Sequence, residues 1–380
     1  MSPLPSSPRA RLLLAVWMAA CAGAAGYLGY VLWDRTRPRM IESAGELPSG
    51  EKLMARDKQY VIDDEIGWRP RPNFEVTGEM SSIDGKVSAT FRRVHDSHGW
   101  IEAAKVSEPV ERPCAIVLGD SHTMGVVSNE ENVSALVQKA LRARPKTASA
   151  RVVNVASGYY SLYQYSLRAR QVARTLKPDA IVVIVFGGND FHELEDPSRP
   201  HFGDDLTLEP PRASTTIQES LARLKKLNLP KRGSEISNQG LGQASYFFEK
   251  PERMKIVVGK IEKSLEALAG VAKEFQSELL LVYLPPYDLV APEAVAAMSA
   301  EAKQVVASGM NQKLHDEFLR AAAFLKIPVV DLLPPFRESA GPYLYASDYH
   351  IWRGGHIRAA DLTAPTLAEM LEKRGEAPPR

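Results

Sequence analysis

Cysteine is nearly absent: Cys21 and Cys114 are the two in 380 residues. Cys21 lies inside an apolar run and Cys114 opens a candidate core strand, so no disulfide between them is expected. There is no CxxC pair and no Cys/His cluster at zinc spacing, which removes the small metal-stapled folds. An excess of either charge is missing too. Lys and Arg number 47 against 46 Asp and Glu, a formal net charge of +1. Without a basic field nothing steers a polyanion, so nucleic acid is not expected as a partner. Internal repeats are absent. Hydrophobic residues at 44% and charged residues at 24% are ordinary globular usage, enough apolar material for one large domain or two smaller ones.

One charge-free run is longer than any other. Residues 12–33 (LLLAVWMAACAGAAGYLGYVLW) form a stretch of 22 without a charge, and about 20 apolar residues cross a bilayer core as a helix. A cleaved signal peptide has a shorter apolar region, about 7 to 15 residues. The run therefore reads as an uncleaved transmembrane anchor behind a cytoplasmic N-terminus at 1–11. Arg9 and Arg11 before it, and Arg35, Arg37 and Arg39 after it, are too evenly matched to set its orientation. Residues 34–60 are polar and read as a stalk. Residues 61–112 contain GWRPRPN (67–73) and short alternating stretches such as 86–91, which predict a small β-rich module.

From Cys114 onward strands alternate with helices. Strands are expected at 114–118, 151–155, 180–186, 278–284 and 328–332. Helices are expected near 133–141, 163–176, 251–275, 302–325 and 355–373. AIVVIVF at 180–186 is wholly apolar, as the centre of a parallel sheet requires. Residues 113–375 thus predict a three-layer α/β domain on a parallel sheet of about five strands. Residues 191–249 interrupt this rhythm. They are polar and Pro-rich, with no strand expected before the long helix, and read as an insertion: a surface excursion, or a lid or substrate-binding element.

Four short motifs stand at strand ends or ahead of the last helix. GDSH (119–122) follows the first strand, where Ser121 would present its hydroxyl at the carboxyl edge of the sheet. NVASGYY (154–160) follows the second and offers the Gly158 backbone N–H. GGND (187–190) follows the most apolar strand, with the Asn189 amide as a donor for an oxyanion. SDYHIWRGGH (347–356) precedes the final helix. There Asp348 can hold His350 in the tautomer that accepts a proton from Ser121. Singly each is weak, because Gly-Asp-Ser is also turn chemistry and an Asp near a helix start suits the dipole. His192, Glu193 and His201 do not have diagnostic metal spacing, and the tyrosines at 159, 160, 163 and 165 read as packing.

Together, in this order, the motifs resemble the SGNH/GDSL hydrolase superfamily over residues 113–373. The resemblance implies a flavodoxin-like sandwich and a serine esterase. It implies Ser121 as nucleophile, His350 as general base and Asp348 as its orienting carboxylate. The oxyanion donors would be the Ser121 N–H, the Gly158 N–H and the Asn189 amide, with no metal or organic cofactor. Ala156 stands where such families often carry a glycine. The DxH form followed by Trp352, and the upstream GWRPRPN, resemble membrane-anchored, polysaccharide-modifying members. By that analogy the catalytic part is expected outside the cytoplasm, in the periplasm or beyond. The expected substrate is then an O-acetyl or short acyl ester of an envelope glycan or lipid, with an envelope or polysaccharide-assembly protein as a candidate partner. Two alternatives use the same residues differently: a polysaccharide O-acetyltransferase, and a non-catalytic binding or scaffold module.

Overall fold

The structure is a computed structural model that describes residues 43–54, 57–102, 112–197, 199–209, 238–339, 341 and 343–375. The candidate anchor at 12–33 lies outside these residues. Among the described residues no helix is long and apolar enough to cross a membrane.

The centre is a five-stranded parallel sheet. Its strands are β7 (Cys114–Leu118), β8 (Arg151–Asn154), β9 (Ala180–Phe186), β12 (Glu278–Leu284) and β13 (Val329–Asp331), in spatial order β13-β12-β9-β7-β8. In chain order that is 2-1-3-4-5, the flavodoxin-like arrangement, whose switch point falls between β7 and β9. Every residue of β7, β8 and β9 is buried, because helices cover both faces. The sequence places these strands to within about two residues. Helices α2 (Val133–Arg142) and α8 (Arg353–Gly375) pack together as one outer layer. Helices α3 (Leu162–Leu176), α5 (Arg253–Glu274) and α7 (Met310–Phe324) pack together as the other.

Three expectations need correction. The stalk at 34–60 is too long, because β1 (Ser43–Glu46), β2 (Lys52–Met54) and β3 (Tyr60–Asp63) form an antiparallel sheet with β4 (Gly67–Pro70). Strands this short, interleaved with charges, leave little alternation to read. They are followed by the hairpin β5 (Glu75–Ser81) and β6 (Ser88–Val94), the β-rich part that was expected. The insertion contains strands after all: β10 (His201–Phe202) pairs with β11 (Leu208–Glu209). It ends in α4 (Gln239–Glu249), a helix separate from α5. Finally, the helix expected at 302–325 is two, α6 (Ala300–Ala307) and α7. The break is at Gly309, whose φ of +66° ends a right-handed helix.

Candidate active site

β7 delivers Ser121 to the carboxyl edge of the sheet. A Cβ on Gly119 would meet the Ile184 carbonyl oxygen at 2.9 Å and collide with Thr123, so only glycine lets the chain turn here. Asp120 then caps the one-turn helix α1 (Ser121–Met124), its carboxylate accepting from the His122 N–H at 2.9 Å. Among the described residues the Ser121 backbone N–H donates to no protein group.

Asp348 and His350 lie on the loop before α8. Tyr349 between them has φ +67°, rare for a bulky residue. The loop is held by the Ala346 N–H on the His350 carbonyl at 2.8 Å and the Tyr349 N–H on the Ala346 carbonyl at 2.9 Å. His350 Nδ1 lies 3.0 Å from Asp348 Oδ2 and its Nε2 lies 2.9 Å from Ser121 Oγ. With Nδ1–H donating to the carboxylate, Nε2 is left to accept the serine proton. Burial pushes the His350 imidazole down, but the Asp348 charge and hydrogen bond, helped by Asp120, outweigh it and hold the ring above its ordinary 6.5. Burial likewise pushes Asp348 up, and the His350 charge and hydrogen bonds outweigh it to hold the carboxyl low.

The other two expected residues are present in a less simple way. Gly158 lies beside Ser121, since a Cβ on it would stand 3.8 Å from Ser121 Cβ. Its N–H, however, donates to Met124 Sδ at 3.3 Å. Asn189 follows β9 and is buried. Its backbone carbonyl accepts the Glu193 backbone N–H at 2.8 Å, and the Glu193 carboxylate is engaged by Arg199 at 2.9 Å. Glu193 and Arg199 therefore brace the donor loop, a role that motif reading alone did not assign. Asp190 does not face the reacting groups. It accepts from the Tyr165 hydroxyl and from the Phe186 N–H at 2.8 Å, closing its own loop. Burial, with the Asp120 and Glu193 charges, holds its carboxyl well above the usual range, and Asp120 is pushed up to about 7, mainly by burial.

His122, inside the motif itself, packs directly against His350. Its ring stacks on His350 at 4.5 Å and on Phe186 at 3.4 Å between centroids. Nδ1 accepts the Ile351 N–H at 3.3 Å, so Nε2–H donates to Gln239 Oε1 at 3.2 Å, from the start of α4. Burial, and next the neighbouring His350, keep the His122 ring neutral. His356 makes no hydrogen bond to Ser121 or Asp348. It is buried in the first turn of α8 and accepts the Val133 N–H on Nδ1 at 3.2 Å.

The N-terminal module reaches three of these segments. Trp68 Nε1–H donates to the Gly158 carbonyl at 3.0 Å. Arg93 donates to the Gly125 carbonyl at 2.5 Å. The Ser347 N–H donates to the Ser81 carbonyl at 2.8 Å, tying the end of β5 to the Asp348/His350 loop. Trp68 lies within GWRPRPN, which was visible in the sequence; Ser81 and Arg93 carried no signal.

A parallel α/β sheet with a serine, an imidazole and a carboxylate in relay at its switch point defines a class, the serine hydrolases. Residues 117–356 match the GDSL-like Lipase/Acylhydrolase family, and the chain belongs to that family. Among curated proteins none matches the chain. Among solved structures it is similar to LAE5, an alpha/beta hydrolase from the metagenome of Lake Arreo, Spain (TM-score 0.39, 16% identity, covering 68% of this chain and 95% of that one). It is also similar to the lipase/acylhydrolase from Enterococcus faecalis (TM-score 0.34, 18% identity, 68% and 96% covered). A third is Axe2, an acetylxylan esterase from Geobacillus stearothermophilus (TM-score 0.38, 14% identity, 70% and 96% covered).

Proposed function

We propose that this protein hydrolyses O-acetyl or other short acyl esters of a cell-envelope glycan or lipid through an acyl-Ser121 intermediate. The observation that carries the reading is the relay itself, with Ser121 Oγ 2.9 Å from His350 Nε2 and His350 Nδ1 3.0 Å from Asp348. As Oγ bonds the ester carbonyl carbon, its proton passes to His350 Nε2 and the carbonyl electron pair moves onto oxygen. The oxyanion is held by the Ser121 and Gly158 N–H groups and the Asn189 amide. Collapse expels the alcohol oxygen, which takes the proton from His350. Water then attacks the acyl group with the same proton relay, releasing acid and free enzyme. The chemistry uses no metal or organic cofactor.

The same reading has residues 12–33 as a membrane anchor, with the catalytic part outside the cytoplasm and an envelope or polysaccharide-assembly protein as its partner. It rests on the uncharged 22-residue run and on the motif forms. The test is turnover of nitrophenyl esters of increasing acyl length by the full chain, together with labelling of Ser121 by a fluorophosphonate. Acetate release into water supports the esterase. Release only when a sugar acceptor is supplied, with the acyl group appearing on that sugar, replaces it with the O-acetyltransferase. A folded protein that neither turns over nor labels is the non-catalytic module.

A further inference from the structure

Tyr60 is the first residue of β3, far from every motif, yet its hydroxyl reaches the nucleophile loop. A Cβ on Gly158 would collide with the Tyr60 hydroxyl oxygen on one side and stand 3.8 Å from Ser121 Cβ on the other. The hydroxyl donates to Met124 Sδ at 3.5 Å, and the Gly158 N–H donates to the same sulfur at 3.3 Å. Two donors from separate parts of the chain thus converge on one thioether, three residues after Ser121. A thioether is a weak acceptor, whereas a buried tyrosine usually finds a strong one. Met is also the side chain best able to move aside, having three rotatable bonds and no shape to defend.

The surroundings hold the pair of donors in place. The Gly158 carbonyl is taken by Trp68 Nε1–H at 3.0 Å. The Tyr160 hydroxyl donates to the Trp68 carbonyl at 2.5 Å, and Gln164 Nε2 donates to the Ile66 carbonyl at 2.9 Å. The β3–β4 hairpin is therefore docked on the Gly158 loop at several points, and the Tyr60 ring meets Tyr159 edge-on at 5.9 Å. Donors fixed before the reaction cost no reorganisation when charge develops. Burial, opposed mainly by Arg93, holds the phenol well above its usual range, so it stays protonated and able to donate.

We propose that the Tyr60 hydroxyl donates a hydrogen bond to the oxyanion formed at Ser121, beside the Gly158 N–H, and that the Met124 thioether occupies this place until substrate displaces it. The proposal rests on Ser121 as nucleophile and assigns the N-terminal module a catalytic residue. An anionic oxygen is a much stronger acceptor than sulfur, so the exchange favours the charged intermediate over the free enzyme.

The test is Tyr60→Phe, which keeps the ring and removes the hydroxyl. With nitrophenyl acetate, kcat falls about 100- to 1000-fold while KM stays within about twofold, as expected for one oxyanion donor. Affinity for a trifluoromethyl ketone, whose adduct with Ser121 carries the oxyanion, falls in parallel. Unchanged kcat, or a rise in KM alone, overturns the proposal. If Tyr60→Phe fails to fold, fluorotyrosine at position 60 keeps the shape and sharpens the donor; an unaltered ketone affinity then overturns it. Wild-type protein that neither labels with fluorophosphonate nor turns over removes the serine mechanism and this proposal together. An active, labelled wild type with fully active Tyr60→Phe removes this proposal alone.

Discussion

The central sheet and the N-terminal β module meet at the same loops and contribute differently. The sheet presents Ser121, Gly158 and Asn189 at the ends of strands buried on both faces, and the loop before α8 brings His350 to Ser121. The module's hairpin β5–β6 alternates over most of its length between exposed and half-buried positions, and the module contributes bonds to backbone that the sheet has already placed: Trp68 on Gly158, Arg93 on Gly125, Ser81 on Ser347. Groups of the first kind act in all-or-none fashion, because a missing nucleophile has no substitute. Groups of the second kind act by degree, since loosening a loop by a fraction of an ångström lowers a rate without abolishing it.

That contrast can be broken by experiment. The largest effect is expected from Ser121→Ala, which removes the nucleophile, a loss on the order of 10⁴-fold or more in kcat. Fluorophosphonate labelling disappears while the thermal midpoint stays unchanged, since the side chain sits at the mouth of the site. Residual turnover near wild type would move the chemistry elsewhere. Asp348→Asn comes next, at about 10⁴-fold, through loss of the tautomer that frees Nε2. Its pH profile sharpens the assignment. His350 must be neutral to accept the proton and its imidazole is held above 6.5, so the wild-type rate rises with pH through an apparent pKa above 6.5. Removing the Asp348 charge moves that limb to lower pH, and an unmoved limb would separate Asp348 from the base.

A graded effect is expected from Trp68→Phe in the module. It leaves the buried Gly158 carbonyl without its donor, which costs about 1–3 kcal/mol of stability. A lowered thermal midpoint should accompany a modest fall in kcat, and a rate loss as complete as that of Ser121→Ala would erase the distinction between the two regions.

The smallest effect is shared by both. His95 in the module and His356 under the sheet are buried and neutral, held down to about 4 and about 3, in both cases mainly by burial. Unfolded, each binds a proton near 6.5; folded, neither does until lower pH. Their contribution to stability is therefore present above about 6.5 and is lost progressively as pH falls towards 4 and 3. Denaturant midpoints at pH 7 and pH 5 measure it, and His95→Gln should flatten part of the slope.

What the sequence displays follows the same division. β7, β9 and β12 are readable because a strand buried on both faces must be apolar along its whole length. Ser121, Asp348 and His350 are readable because their types and order match a chemistry. Gly158 and Asn189 were readable as positions, but their present partners, Met124 and Glu193, were not. Residues 43–60 read as a stalk because a three-residue strand has no period to detect, and α4 was lost inside a polar insertion for lack of a visible boundary.

By itself the sequence determined the layered α/β architecture, the family and the identity of three side chains that meet in one hydrogen-bonded relay. Those depend on local burial and on residue type, which a chain displays along its length. Only the tertiary structure decided that an imidazole and a hydroxyl 229 residues apart lie 2.9 Å from each other, and that Tyr60 and Trp68 close on the Gly158 loop. Contacts of that kind depend on how separately formed elements dock, and no spacing within either element records it.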